Sequence, residues 1–499
     1  MTQSTARGAL WMVSFKLLER GLGLISTLVL ARLLVPRDFG VVAMAVSLVA
    51  LLEIFSAAGM DTALIQRQDA SPAHFHTAWT LNVLAGFTVG VVLVLLALPA
   101  SYFYREPRLV AVMCVFALGA AVQGLENIGV VQFRKQLRFD REFRYLLAKK
   151  LISFAVTVPL AFWLRSYWAL VIGTLAGRTG SVMYSYLIQP FRPRLSLQTA
   201  AEMMHFSKWL MPLNALGFLK ERSATFLIGH FAGPAALGAF TVSTEIASLP
   251  STELIAPINR ALLPAYAKLA GDRPALRAEF LNSMSGIALL GMPMVAGVAL
   301  AAPFIVLLAL GPKWSAARPL LEVLAFYGIS QVLESNAYAA FVAIGKPAVF
   351  FRVIGLQTAV LLAALLPLTL SYGTIGAAWS YVFSALVTLP VNFLYIARLM
   401  GLRARDFVTA VWRPVVSAAV MYGGGRLWGP ALPATAVTSA AAFVPFIKCV
   451  AVGALTYVAI DALLWLAAGR PRGAETWLLR QVGAISRVAR SRLRAGPGK

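Results

Sequence analysis

Apolar residues in this chain do not alternate with polar ones at the period of a strand or of a half-buried helix. They run on for roughly twenty residues at a time, from Gly8 to Ala468, between short polar breaks. A helix needs about 20 apolar residues to cross the ~30 Å hydrocarbon core of a bilayer. The pattern therefore predicts an all-α, polytopic membrane protein with about fourteen transmembrane helices. The first is expected at Gly8–Leu34, the second at Phe39–Ala58, the fourth at Leu109–Val131 and the tenth at Leu320–Ile344. The seventh and eighth are expected at Trp209–Ala232 and Ala236–Leu263, the last two at Val411–Trp428 and Ala440–Ala468. No sizeable extramembrane domain remains, and the longest outer loop is expected around Gly429 to Ser439.

An internal repeat is superimposed on this pattern. Trp11, Pro36 and Gly40 recur without a gap, 198 residues on, as Trp209, Pro234 and Gly238. Six expected helices separate the copies; an even number preserves direction. The two halves are thus parallel repeats about an axis along the membrane normal, as in several secondary transporters. The expected organisation is an N-lobe over 1–198 and a C-lobe over 199–400, each of six helices. Two additional helices follow over 401–470, then a basic cytoplasmic tail over 471–499. The motif Val35-Pro36-Arg37-Asp38-Phe39-Gly40 reads as a tight turn, with Pro ending one segment and Asp and Gly suiting the bend.

Composition agrees with the pattern and excludes a soluble globule. Of 499 residues 59% are hydrophobic and 13% charged, with a mean hydropathy of +0.76, against roughly 25% charged in soluble domains. The charge is lopsided, with Lys+Arg 44 against Asp+Glu 20 and a formal net of +24. In a polytopic protein that excess first sets topology. Placing both termini in the cytoplasm puts most of the basic residues on the cytoplasmic side, and no basic soluble domain supports nucleic-acid binding. The densest blocks, Arg134 to Lys150 and the tail from Arg470 through Arg472 and Arg480 to Lys499, are expected to touch anionic lipid. Cys114 and Cys449 fall in apolar runs and read as small buried thiols. The four histidines show no metal spacing and no Walker A loop is present, so neither a metal nor an ATP cofactor is expected.

Candidate chemistry lies in ionisable residues at membrane depth, each of which costs a few kcal/mol to insert and normally faces a cavity or a partner. Lys16, Glu19 and Arg20 share one face of helix 1 by their i, i+3 and i+4 spacing. Lys220, Glu221 and Arg222 occupy helix 7, and Arg178 helix 6. The positive set Lys16, Arg20, Arg178, Lys220 and Arg222 suits an anion such as a phosphate or pyrophosphate. Glu19, Glu53, Glu126, Glu221, Glu245, Glu253, Arg260 and Glu334 are candidates for coupling or gating. Pro250 and Pro257 are expected to bend the helix that carries Glu245, Glu253 and Arg260. Each acid could equally serve only to neutralise a nearby base during insertion.

The turn Leu34-Val35-Pro36-Arg37-Asp38-Phe39-Gly40 and the following Gly59-Met60-Asp61-Thr62-Ala63-Leu64-Ile65-Gln66-Arg67 resemble the N-terminal part of Wzx-type polysaccharide transporters. Pro257-Ile258-Asn259-Arg260-Ala261-Leu262-Leu263-Pro264-Ala265 and Leu310-Gly311-Pro312-Lys313-Trp314 extend the resemblance, which is greatest to the colanic-acid-exporter branch. The family belongs to the multidrug/oligosaccharidyl-lipid/polysaccharide exporter superfamily. The resemblance implies two facing six-helix lobes around a central cavity. It implies a non-enzymatic flippase of the bacterial inner membrane that turns undecaprenyl-diphosphate-linked oligosaccharide from inner to outer leaflet for exopolysaccharide, capsule or O-antigen assembly. Expected partners are that lipid, anionic membrane lipids, and a polysaccharide polymerase with its glycosyltransferases. Coupling to H⁺, to Na⁺ or to the membrane potential stays open. So do rival readings: a lipid II flippase, a multidrug exporter of the same superfamily, a membrane enzyme of polymerisation or ligation, or a glycosyltransferase scaffold.

Overall fold

The computed structural model describes residues 3–56, 60–67, 69–428, 439–471 and 473–476. The expected loop at 429–438, Arg472 and the basic tail from Arg480 to Lys499 lie outside the described residues, as does the Trp209 side chain. All regular elements among the described residues are helical. Among the described residues, six helical stretches are long and apolar enough to span a bilayer by themselves, among them Pro72–Tyr104, Arg273–Leu310 and Ala442–Ala467. Helices that are shorter or more polar fill the intervals between them.

Two compact units form, one of residues 1–241 with 309–314, the other of 242–308 with 315–499. The first holds α1 (Gln3–Leu33), α2 (Pro36–Ser56), α3 (Met60–Gln66), α4 (Pro72–Tyr104), α5 (Arg108–Gly124), α6 (Val131–Lys135), α7 (Phe139–Leu164), α8 (Trp168–Ile188) and most of α9 (Ala200–Leu249). Its border at Thr241 lies within α9, beyond the residue-198 point at which the repeat divides the chain. The second holds α10 (Ala256–Leu269), α11 (Arg273–Ile305), α12 (Ala317–Glu334), α13 (Ala337–Ala343), α14 (Pro347–Met400), α15 (Ala404–Trp428) and α16 (Ser439–Ala467).

The turn chemistry read from the sequence is present, with one reassignment. Pro36 opens α2, where its missing N–H costs nothing, and Asp38 accepts a hydrogen bond from the Val35 amide at 3.2 Å. Gly40 is already inside the helix and makes no bend. A Cβ there would lie 1.8 Å from the Pro234 carbonyl oxygen, and a Cβ on Gly238 would lie 1.8 Å from the Pro36 oxygen. Each copy of the repeat thus presses its proline carbonyl onto the other's glycine, as small residues allow when helix backbones meet. The bend in the second copy is made by Gly233 (φ 79°, ψ 179°), which splits α9 into two arms. Trp314, fully buried, locks the neighbourhood by donating from Nε1 to the Ala31 carbonyl at 2.8 Å while its ring meets Phe39 edge-on.

Helix α14 makes the same economy visible in the second unit. A straight helix of 54 residues would be about 80 Å long, far more than one crossing requires. Gly373 (φ 60°, ψ −142°) breaks it into two arms. Three other expectations about element limits are revised. The fourth expected helix breaks after Gly124, and the 108–124 and 128–135 pieces bend by 61°. Asn127, fully buried, causes it by capping the next turn. The tenth ends at Glu334, since Asn336 is held by Tyr266 (2.7 Å) and by the Phe280 carbonyl (3.4 Å). Pro250 begins a π-helical stretch, Pro250–Ile255, at the place where a bend was expected.

Candidate functional site

A cavity of about 580 Å³ opens inside the first unit, bordered by α2, α3, α4, α5, the 125–134 segment and Asn214 on α9. Its origin is backbone packing. Gly86 and Gly124 bring α4 and α5 so close that a Cβ on either would sit 2.7 Å from a carbonyl of the other helix, and Gly90 does the same at 2.9 Å. At Asn127 the chain then turns away, held by three bonds. The side chain accepts from the Gly129 amide (2.9 Å) and donates to the Phe191 carbonyl (2.7 Å), while its own amide donates to Ser185 Oγ (3.0 Å). Tight helices on one side and a bent segment on the other leave space that no side chain fills.

Half of the lining is polar, namely Glu53, Asp61, Thr62, Asn82, Gln123, Glu126, Asn127, Asn214 and Arg134, the one cation lining it among the described residues; the other half is small or aliphatic, with Val89, Val130 and Val131 among them. Bases stand just behind. Arg178 reaches Glu53 at 3.2 Å, and Lys149 lies 3.9 Å from Glu126. Glu126 also accepts from Gln123 and from the Tyr145 hydroxyl, and Arg134 pairs with buried Glu142. Burial pushes the Asp61 carboxyl above its ordinary range, with Arg134 acting in the opposite sense. Carboxylates and amides in this density accept and donate to several hydroxyls at once, which is the chemistry of a sugar's edge.

Of the sequence candidates, Glu53 and Glu126 line this cavity and Arg178 backs it. Lys16 pairs with Glu19 at 2.7 Å on α1, as their spacing suggested; Arg20 is exposed on the same helix. Lys220 and Arg222 are half-buried and Glu221 exposed on α9, none of them at the cavity wall. Glu245, Glu253, Arg260 and Glu334 belong to the second unit. Asp61, Asn82, Gln123 and Arg134 were missed as site residues. Asp61 stood inside a motif already singled out, and Arg134 inside a basic block read as topological. The polar amides gave no signal, because single Asn and Gln residues in apolar helices have no spacing to follow.

Comparison with known proteins completes the description. The sequence model of a family described as polysaccharide biosynthesis protein matches residues 29–319. The lipopolysaccharide biosynthesis protein WzxC of Escherichia coli is 25% identical over 421 residues, 83% of this chain and 85% of that one. The teichuronic acid biosynthesis protein TuaB of Bacillus subtilis is 24% identical over 73% of this chain and 76% of its own length. Among solved structures, the lipid II flippase MurJ in an inward closed conformation superposes with a TM-score of 0.71 at 13% identity, covering 93% of this chain and 100% of its own. An inward-facing multidrug resistance MATE transporter gives 0.62 at 16%, over 77% and 96% of the two chains. At those identities the likeness is one of fold.

Proposed function

This chain belongs to the polysaccharide biosynthesis protein family, as a Wzx-type exporter of the superfamily that also holds the MATE transporters, and we propose that it flips a lipid-diphosphate-linked oligosaccharide across the bacterial inner membrane. The problem such a protein solves is physical. Each unpaired polar group of a sugar costs several kcal/mol in hydrocarbon, so the sugar must travel through a polar interior while its lipid stays in the bilayer. The observation that carries the reading is the 580 Å³ cavity lined by carboxylates and amides within a helical membrane unit.

In this reading the sugar docks against Glu53, Asp61, Asn82, Gln123 and Glu126, which supply hydroxyl acceptors and donors. The positive set Lys16, Arg20, Arg178, Lys220 and Arg222 serves the diphosphate. Glu53 and Glu126, with Asp61, are the proposed places for a coupling H⁺ or Na⁺; the membrane potential would act on bound charge at ~2.3 kcal/mol per charge per 100 mV. The two repeats alternate access by rocking, as lobes over 1–198 and 199–400 with the helices of 401–470 beside them. Both termini are placed in the cytoplasm, and a polymerase and glycosyltransferases act before and after it.

The test is leaflet sidedness of a lipid-diphosphate oligosaccharide in proteoliposomes. Wild type should translocate under an imposed potential or ion gradient. Glu126→Gln and Arg20→Ala should each slow it at least ~10-fold, the scale of one lost charge-assisted hydrogen bond. Correctly folded wild type that moves no lipid-linked sugar under any gradient would refute the function. Normal rates in both variants would keep the function and discard the site.

A further inference from the structure

A second cavity, of about 290 Å³, lies in the other unit where three helix-end turns meet: α10 to α11, α13 to α14, and α14 to α15. Arg273 and Arg277 line it, together with Leu276, Ile344, Gly345 and Met400. Its floor is rigid, because Leu276, Phe341 and Met400 belong to one buried core with Tyr266, Phe280 and Phe407. Neither arginine makes a hydrogen bond or ion pair to any described residue, and Arg277 Nε is buried without an acceptor.

Bases outnumber acids around it, with Asp272, Glu279 and Asp406 the carboxylates nearest along the chain. Lys346 stands on the α13–α14 turn and Arg398 and Arg403 flank the end of α14. Two of those acids are already used. Asp272 caps α11 through the Ala275 amide (3.1 Å), and Asp406 accepts from the Arg403 amide (2.8 Å). Helix-end carbonyls are used too, since the Phe341 oxygen takes the Lys346 amide and the Ala397 oxygen the Leu402 amide. Capping of helix ends therefore does not account for the arginines. Nor does topology, which asks only for positive charge in a turn and gives no reason to bury a guanidinium nitrogen beside a cavity. Arg273 and Arg277 stand one turn apart on the same face of α11, and an anion between them relieves the repulsion of two like charges at that spacing.

We propose that this cavity binds a phosphate group, with the guanidinium forks of Arg273 and Arg277 as its donors. Forked N–H pairs match phosphate oxygens, and basic pockets between helices at a membrane surface take phosphate headgroups in this way. The group comes either from an anionic phospholipid or from a soluble phosphate ester. The inference does not depend on the transport reading, since it concerns residues of a different unit.

Gly401 provides an independent handle. It sits at φ 66°, and a Cβ there would come within 2.3 Å of Arg277 Nη2, so Gly401→Ala must move the guanidinium without changing net charge. The experiment uses the full chain in neutral detergent, titrated with phosphatidylglycerol or phosphatidylcholine and followed by native mass spectrometry. Saturable binding of phosphatidylglycerol over phosphatidylcholine is expected. Arg277→Gln should weaken it ~10-fold and Arg273→Gln/Arg277→Gln together ~100-fold, one decade per lost charged donor pair. Gly401→Ala should also weaken it. Arg194→Gln, which removes an exposed arginine from the loop at 189–199, should not. Displacement by glycerol 3-phosphate identifies a soluble ester as an accepted source; no displacement identifies the lipid, and both uphold the site. If neither ligand binds, if folded double variant and wild type bind phosphatidylglycerol within twofold of each other, or if Arg194→Gln loses as much, the proposal fails.

Discussion

The reciprocal contact between Pro36–Gly40 and Pro234–Gly238 predicts a specific response to one added methyl group. In Gly40→Ala the new Cβ would stand 1.8 Å from the Pro234 oxygen, 2.5 Å from its carbonyl carbon and 2.8 Å from its Cα. Ordinary contact begins at 3.4 Å, so the two helix turns must separate by about 1.6 Å, and since the obstacle is backbone no rotamer change relieves it. Overpacking of this kind costs about 1–3 kcal/mol, a ~5–150-fold shift in population away from the closed contact. Gly238→Ala should act alike, through the Pro36 oxygen. The double variant should cost less than the sum, because one separation relieves both overlaps. Spin labels at Val35 and Ala235, both exposed, read the distance by electron–electron resonance in a chain with Cys114 and Cys449 replaced by alanine. Each single variant should lengthen the main distance or populate a longer one. An unchanged distribution in either folded variant, or fully additive effects, would refute the reasoning.

Two further predictions concern the same unit. Buried Glu106 accepts from Arg108 (2.8 and 3.0 Å) and from Arg37 (3.1 Å), tying the start of α2 to the α4–α5 turn; the Arg108 bonds, helped by Arg37 and opposed by burial, hold its carboxyl below the usual 4.5. A lowered value stabilises the folded state above pH ~4.5, and the contribution is lost as pH falls through the folded value. Thermal melts should therefore show Glu106→Gln less stable than wild type at pH 7, by about 1–3 kcal/mol, with the gap closing below pH 4; a constant gap from pH 7 to 3 would exclude the ion cluster as its cause. Asn127→Ala leaves the Gly129 amide and the Phe191 carbonyl without their partner, which should cost about 2–4 kcal/mol in denaturant or thermal unfolding, and a loss under 0.5 kcal/mol would mean that the 61° bend has another origin.

Much of the architecture is written locally. Whether a segment enters a bilayer depends on its own apolar length, so the apolar runs mark helices such as Pro72–Tyr104 and Arg273–Leu310 without reference to the rest of the chain. Turn chemistry is equally local: Pro36 with Asp38, and Gly233 before Pro234, specify where a helix starts again. The recurrence of Pro36 and Gly40 as Pro234 and Gly238, 198 residues on, was legible in the sequence. Its meaning was not, since Gly40 looked like a bend residue and proves to be a contact residue.

Tertiary structure alone decided which polar groups share a space. Arg178 meets Glu53 across 125 residues and Lys149 meets Glu126 from another helix, pairings that no spacing rule on one helix can supply. The same holds for the cavity wall, assembled from α2, α3, α4, α5, the 125–134 segment and α9. Hydropathy ranks a residue against the bilayer, one segment at a time. The charge balance of a cavity is a sum over segments distant in sequence, and the three carboxylates and the one lining arginine came from three separate stretches, α2, α3 and the 125–134 segment. Sequence thus marked stretches apolar and long enough to cross a membrane and some of the places where the chain turns. Packing of glycine-bearing helix faces determined how near those segments lie, and with it which side chains are left facing an open, polar interior.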